Sequence, residues 1–569
     1  MILLILWAVL ASGCSIYGLL IFKLLVRWRI IDDSEAVRGS DLLLAGLVLL
    51  VLFVQLASIF WPANYVLASS WLAGALILAV FSPSITRSYF RRFALQQKQI
   101  PVFWLIFLVV LLYSTLEPVN ADSGLYHLPS IRWYERFRVI PGLGNLHGRL
   151  AFNSSFLVAS AAFGLTDLAG QTVFPLNGFV FLVVSWRLLG QIRSATSIRF
   201  LALLLLILVL FYLVRQVYSP TPDVWATLLP ITIFMIWLDI KPVFSFRHIL
   251  LFMLVCLCIT VKLATIPIAF CLLPLGWAVR KQLSSRTLVF LTGMAFLLIA
   301  PWLIRTTILS GYLLYPFPAI DLFAFDWKIP LERVQFEKDY VTIWGRFRLF
   351  EPEIKPGLLE KPATEWIPMW WSLKPYYFLN KPTWVLAVLS PFVIGLHFLN
   401  PIRRARIQKL LWPWLVALIG FLFWFFSAPD YRFGYQFIWL TAFLPLLPFM
   451  PQRSDFWNVR PFSNLVVTGL LLILLSVYAN TFLRKEHFPL LHYAIFPKPL
   501  SFRHRGPEEV VFDRCRTRSG LEVLIPNHGP LFLGCYDQER PCSPYFYPDL
   551  ELRGNTIADG FRSTLSTGK

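Results

Sequence analysis

Charge is what this sequence has least of. Asp, Glu, Lys and Arg make up 14% of the 569 residues, whereas 57% are hydrophobic. Soluble domains carry about 25% charged residues, so ordinary water-soluble domains are excluded and lipid must be much of the solvent. Acidic residues are the scarcer sign, 31 against 51 basic, leaving a formal net charge of +20. In a soluble chain that excess points to nucleic acid. Here the basic residues fall mainly in short loops between apolar stretches, so the charge reads as topology and no nucleic-acid partner is expected. Met1 to Phe22 lacks a basic n-region and a small-residue cleavage site, and is expected to be a first span and not a removed signal peptide. A nucleotide-binding loop and a clear inverted repeat are also missing.

What the chain has in quantity is apolar runs close to the roughly 20 residues that carry a helix across the hydrocarbon core. They fall at 2–22, 42–61, 65–84, 101–117, 171–190, 200–217, 224–240, 248–261, 264–279, 287–306, 383–399, 410–427, 433–450 and 463–482. The expected fold is therefore an all-α polytopic membrane protein of about fourteen transmembrane helices. Loops with Arg27 and Arg29, Arg91 and Arg92, Arg193 and Arg199, Lys241 and Arg247, Arg280 and Lys281, Arg403 to Arg406, and Arg453 with Arg460 alternate with weakly basic ones. By the positive-inside rule the basic loops face the cytoplasm and both termini lie outside.

The chain then divides into N-terminal helices (1–100), a transmembrane core (101–450), a last helix with its preceding loop (451–482) and an extracytoplasmic C-terminal domain (483–569). The outside receives two loops, 118–170 and 307–382, longer than neighbouring helices need, and such loops usually carry binding or catalysis. Two shorter ones, 218–223 and 428–432, join them. Lys262, between the short stretches 248–261 and 264–279, marks a bent helical hairpin.

Cys14, Cys256, Cys258 and Cys271 sit in spans and behave as small apolar residues. Cys515, Cys535 and Cys542 lie in the outside tail, where a disulfide is permitted. Cys535 with Cys542 is the preferred bridge, because the six residues between them are turn-prone. A zinc site would need a further ligand such as His528. The tail reads as a small mixed α/β domain with a strand at Glu522-Val523-Leu524-Ile525. Its Tyr545-Phe546-Tyr547 cluster is expected to build the core in preference to a sugar site.

Polar chemistry concentrates in the first long outside loop, Glu117-Pro118-Val119-Asn120-Ala121-Asp122-Ser123-Gly124-Leu125-Tyr126-His127, which continues to Gly142-Leu143-Gly144-Asn145-Leu146-His147-Gly148-Arg149. A carboxylate at a membrane boundary can accept a proton, hold a divalent cation or pair with arginine, and spacing does not choose among these. A span followed by Asp122, Tyr126 and His127, then an interfacial helix and Arg149 to Phe156, resembles the first outer loop of GT-C glycosyltransferases. Pro301-Trp302-Leu303-Ile304-Arg305 running into Gly311 to Pro316 is similar to their span-to-loop exit, and Ser427 to Phe433 places Arg432 outside between close spans, as they do. The Gly142 to Arg149 string also resembles an uncharacterised group of bacterial multi-spanning proteins, so a bacterial inner membrane is the expected location.

The GT-C resemblance implies an inverting glycosyltransferase that takes a sugar from a polyprenyl-phosphate donor and passes it to a surface glycan or lipid. It implies Asp122 as the catalytic carboxylate and Glu117 as a candidate second one. Ser123 stands where many relatives carry another acidic residue, so the metal is unknown and a divalent cation, Mg or Mn, stays open. Lys262, Arg305 and Arg432 are the candidate phosphate ligands, since a lipid phosphate concentrates negative charge that fixed cations match. Each also suits snorkelling at a helix end. Tyr126, His127 and Glu117 are assigned to acceptor or loop positioning, and Asp223 and Arg149 complete the outer-face set. Asp223 and Asp430 equally suit helix caps. Trp344, Trp366, Trp370 and Trp371 are expected to anchor at the interface in preference to covering substrate. A flippase, a polymerase-like ligase, a transporter or a noncatalytic envelope assembly protein is the alternative class. Transporters place ionisable residues near the midplane, whereas these gather at one outer surface.

Overall fold

A computed structural model describes residues 1–32, 37–81, 100–116, 118, 120–191, 196–349, 354–450, 469, 472, 476, 511–527, 534–536, 538 and 540–567. Helices occupy the hydrophobic stretches from the first through 433–450, and the stretch 463–482 lies almost wholly outside the described residues. Among the described residues, five helices are long and apolar enough to cross a membrane: Ile2–Arg27, Gly39–Ala57, Ser197–Gln216, Leu263–Gln282 and Ser285–Ser310. The bent pair Pro401–Gln408 and Leu411–Ser427, at 64°, makes up to six if it is one span. Shorter apolar helices include Tyr65–Phe81, Pro101–Ser114, Asp223–Trp237 and Phe246–Val261.

Helices α1 (Ile2–Arg27) and α2 (Gly39–Ala57) pack backbone to backbone. A Cβ on Gly18 would lie 2.0 Å from the Leu42 carbonyl oxygen, and one on Gly46 would lie 1.8 Å from that of Cys14. Two glycines on facing surfaces are what admit so close an approach, the usual device where burial from water does not drive helices together. Behind them stand α3 (Pro175–Gln191), α4 (Asp223–Trp237) and α5 (Phe246–Val261), which bury nearly every residue.

One end of this bundle is closed by ion pairs. Asp41, in the first turn of α2, is fully buried and bonds Arg187 of α3, which is equally buried, and Arg247 of α5 at 3.2 Å. Asp239, just past α4, receives Arg38 at 2.8 Å and Arg247 at 3.6 Å. Acidic groups at a helix start and beyond a helix end thus tie four chain segments together.

At the opposite end of α4 lie the long loops. The described residues of 118–170 fold into a π-helical turn, Ser123–His127, a helix at Leu128–Arg136, 3₁₀ turns at Leu143–Asn145 and Gly148–Ala151, and a short helix at Ser155–Ala162. Residues 307–382 contain the helices Leu331–Phe347 and Ala363–Ser372. The tryptophans of this segment mostly turn inward: Trp366 and Trp370 are buried among Trp424, Phe425 and Tyr431, while Trp371 remains exposed.

The tail is a small sheet region. Strands β1 (Val511–Arg516) and β2 (Glu522–Asn527) pair antiparallel with Val511 opposite Asn527, and β3 (Leu550–Leu552) pairs with β4 (Phe561–Ser563). Its described residues from 511 to 567 hold strands and 3₁₀ turns and no α-helix. It docks on the long loops: Phe561 N–H donates to Pro141 O at 3.0 Å, Arg333 pairs with Asp549 at 2.5 Å, and Arg553 with Asp326 at 2.8 Å. Val523, Leu550 and Phe561 are continuous with the main hydrophobic core. Within the aromatic cluster, Tyr547 packs under the Arg333 guanidinium at 3.8 Å and Tyr545 meets His147, whereas Phe546 is exposed.

Candidate functional site

Asp122 is placed by a tight local turn. The Asn120 side-chain oxygen accepts from the Asp122 N–H at 3.0 Å, and the Asn120 carbonyl accepts from Ser123 N–H. The π turn follows because Pro129 has no N–H to continue a regular ladder, while the Leu128 N–H reaches back to Ser123 O. Ser123 Oγ then meets Ser219 Oγ at 2.5 Å. That residue belongs to the proline-broken segment Ser219-Pro220-Thr221-Pro222, whose carbonyls at Ser219 and Thr221 accept from Asn177 at 2.7 and 3.0 Å. The loop that carries Asp122 is thereby fixed against the start of α4, where Asp223 sits.

Four segments far apart in sequence converge here. Arg432 Nη1 donates to Asp122 Oδ2 at 2.9 Å across 310 positions. Lys262, in an extended interruption after α5, pairs with Asp223 and lies 3.8 Å from the Phe433 ring centroid. Asp430 caps the helix Tyr431–Phe443 by accepting from Arg432 N–H at 3.1 Å. Its other oxygen accepts from Trp344 Nε1 at 3.2 Å and Tyr376 Oη at 3.4 Å, and stands 3.5 Å from Arg432 Nε, a charged contact longer than a hydrogen bond. Asp223 stands at the first position of its own helix, so its ion pair and its favourable place at the positive end of the dipole coincide.

These charges set the protonation of the loop. Burial opposes the charge on Asp122, but Arg432, with His127 and Arg149, more than offsets it and holds the carboxyl down at about 2. His127 goes the other way: burial dominates and lowers it to about 4 although Asp122 and Asp223 favour its charge, so it is neutral at pH 7. Both its ring nitrogens are buried without a hydrogen-bond partner among the described residues. Tyr126 is pushed well up, first by burial and then by Asp122 and Asp223, and stays a phenol that stands edge-on to Phe152.

A second polar group adjoins this one. Arg149 is buried, 3.5 Å from Glu337, and its guanidinium lies 4.8 Å from the Tyr340 ring and 5.9 Å from the Tyr126 ring. Burial works against its charge, and Glu337, then Tyr545 and Asp122, restore it beyond the ordinary range. Glu337 sits on the helix Leu331–Phe347, whose run of charged residues looks solvated in the sequence, so nothing there marks it as buried.

Asp122, Tyr126, His127, Asp223, Lys262, Arg432 and Arg149 are thus brought together. Arg305 is not. It is fully buried elsewhere, donating to Ser58 Oγ at 2.7 Å and Ser58 O at 3.2 Å, with its guanidinium 4.8 Å from the Tyr134 ring. A position one turn from a helix end looks like a surface cation, but here the segment with Tyr134 and Asn153 folds over it, and its candidacy as a phosphate ligand is corrected to a structural role. Glu117 and His528 lie outside the described residues. Cys535 and Cys542 form the expected disulfide, and Cys515 is free.

A divalent cation does not fit the donors that are described. No group of three His, Cys, Asp or Glu is placed to hold one among the described residues, and Asp122, Asp223 and Asp430 each face a lysine or arginine.

No curated protein and no solved structure matches the chain. The family described as domain of unknown function (DUF8201) matches residues 1–439, a span that includes Asp122, Asp223, Lys262, Asp430 and Arg432 and stops before the tail. The chain belongs to the DUF8201 family.

Proposed function

We propose that this protein is a membrane glycosyltransferase of about fourteen spans, GT-C-like in arrangement, that moves a sugar from a polyprenyl-phosphate donor to a glycan or lipid acceptor at the outer face of a bacterial inner membrane. The observation that carries the reading is the Asp122–Arg432 pair, a carboxylate and a guanidinium from distant loops, each partly exposed, with the Asp223–Lys262 pair beside it.

The pair supplies both halves of the chemistry. Held down at about 2, Asp122 is a poor base while Arg432 faces it. A donor phosphate competes for the guanidinium, and once Arg432 turns to it, burial is opposed less and raises the proton affinity of Asp122. Asp122 then takes the proton of an acceptor hydroxyl as that oxygen bonds to the anomeric carbon. The bond from that carbon to the phosphate oxygen breaks, and its electron pair leaves with polyprenyl phosphate. Arg432 and Lys262 stabilise the departing charge, which is where fixed cations act most strongly. Neutral His127 and the Tyr126 phenol offer hydrogen bonds to the incoming hydroxyl. No step requires a metal.

Cells making wild-type protein, none, or Asp122→Asn at matched membrane levels test the reading, with lipid-linked sugars and surface glycans followed by mass spectrometry. Accumulation of one lipid-linked donor and loss of the same glycan residue in both defective strains supports transfer. A wild-type profile from Asp122→Asn removes Asp122 from catalysis and moves transport or envelope assembly ahead.

A further inference from the structure

The π turn that carries Asp122 is short of one hydrogen bond. The Gly124 carbonyl would ordinarily receive an amide four or five residues on, but Leu128 N–H is spent on Ser123 O and Pro129 has no N–H. The missing donor comes from the tail: Tyr536 N–H donates to Gly124 O at 2.9 Å. The Tyr536 ring lies flat against the same residue, so that a Cβ on Gly124 would fall 2.2 to 2.6 Å from three of its atoms. Gly534 faces the same spot, where a Cβ would come 2.8 Å from the Gly124 carbonyl. Leu128, at the start of the following helix, packs on Tyr536 with Phe174 beside it.

The segment that reaches in is anchored by covalent chemistry. Tyr536 follows Cys535, whose disulfide to Cys542 closes a loop of separation 7, and it adopts a left-handed backbone conformation with φ 48°. Such a conformation is uncommon for a tyrosine and persists only where its surroundings hold it. The far side of the loop is tied to β2 through Leu524 N–H to Pro541 O at 2.9 Å and Ser543 N–H to Leu524 O at 3.0 Å.

We propose that Tyr536 is a positioning residue for Asp122: the disulfide-closed loop completes the backbone hydrogen bonding of the π turn from outside the family-matched region and so fixes where the carboxylate stands. The fixed turn is a property of the fold. That it serves transfer rests on the function proposed above. The hydrogen bond is made by the backbone and the cover by an aromatic ring, both of which phenylalanine retains.

Hydrogen exchange of the 120–128 peptide, read by mass spectrometry on the full-length protein in lipid nanodiscs, tests this, with the peptide around Asp41 as the control for folding. Tyr536→Ala, Cys535→Ser with Cys542→Ser, and reduction of the wild-type disulfide should each speed exchange at 120–128 by about tenfold, the scale of a lost hydrogen bond and its cover, while the control peptide stays protected. Tyr536→Phe should match wild type. Because reduction starts from folded wild-type protein, failure of a variant to fold does not rescue or sink the idea. Unchanged exchange on reduction, or equal loss in Tyr536→Phe and Tyr536→Ala, overturns it. If exchange rises as expected while lipid-linked sugars in cells carrying Tyr536→Ala stay normal, the positioning holds and the catalytic reading of Asp122 fails.

Discussion

Helix α4 begins in one charged network and ends beside another. At its start Asp223 pairs with Lys262, next to Asp122 with Arg432; just past its end Asp239 meets Arg38 and Arg247, next to Asp41 with Arg187. Both are built from aspartates facing long cations, yet their surroundings differ. The side chains of Asp41 and Arg187 are 0% and 1% exposed, whereas Asp122 and Arg432 are 19% and 18% exposed. The sealed pair comes from within two helices, and the open one from a loop turn and the first residues of a helix. An ion pair that water and ligand cannot reach keeps the partners packing gives it, so it fixes helices. One that water and a ligand can reach is free to exchange partners, and that is what a phosphate-binding, proton-accepting site requires.

The sharpest way to break this contrast is to neutralise one carboxylate in each network. Asp122→Asn should lower sugar transfer by about 10²- to 10⁴-fold, the usual worth of a positioned general base, with stability within about 1 kcal/mol of wild type. Asp41→Asn should instead cost about 3–5 kcal/mol, because it leaves Arg187 charged in a dry site. Thermal unfolding in detergent at matched lipid content measures the second, and donor accumulation the first. Equal loss of stability in both variants would mean that the outer pair is as structural as the inner one.

Acid sharpens the comparison by acting on the Asp122–Arg432 network through His127. Its folded-state value lies at about 4, below the ordinary value of 6.5, so the unfolded chain binds the proton first. The stability it contributes is therefore complete above 6.5 and is lost as pH falls toward 4, a change on the order of 3 kcal/mol. Asp122, held at about 2 against 3.8, adds its own loss only at lower pH, as the pH falls from 3.8 to about 2. Unfolding midpoints measured from pH 7.5 to 4.5 should fall more steeply in wild type than in His127→Phe. Parallel curves would place the acid sensitivity elsewhere.

Hydropathy located the apolar helices, because a long apolar run has few other solutions, but not the helices Leu128–Arg136, Leu331–Phe347 and Ala363–Ser372 inside the long loops, though it marked the loops that hold Asp122, Asp223, Lys262 and Arg432. The pairing of Asp122 with Arg432 was not legible, since 310 residues separate them and only packing brings them together. Arg305 shows the reverse error: adjacency to a helix end says nothing of what folds over it. The Cys535–Cys542 bridge was readable from the turn-prone spacing between the two cysteines. Glu337 and Tyr536 were invisible, one hidden in a polar helix and the other acting through its backbone N–H, which any residue but proline possesses.

The smallest expected effect tests how the open network keeps its geometry. Trp344, in the second long loop, gives its indole N–H to Asp430, the residue that caps the helix carrying Arg432. Trp344→Phe keeps an aromatic ring but removes the indole N–H along with its five-membered ring, so stability should fall by about 1 kcal/mol or somewhat more. The consequence for transfer is more selective. With Asp430 less held, it competes better for Arg432, and Asp122 loses part of the charge that keeps its proton affinity low. The acid limb of the transfer pH profile should move upward in this variant and stay in place in Trp371→Phe, whose side chain lies on the exposed surface. An unmoved limb in Trp344→Phe would show that Asp430 caps its helix without tuning Arg432.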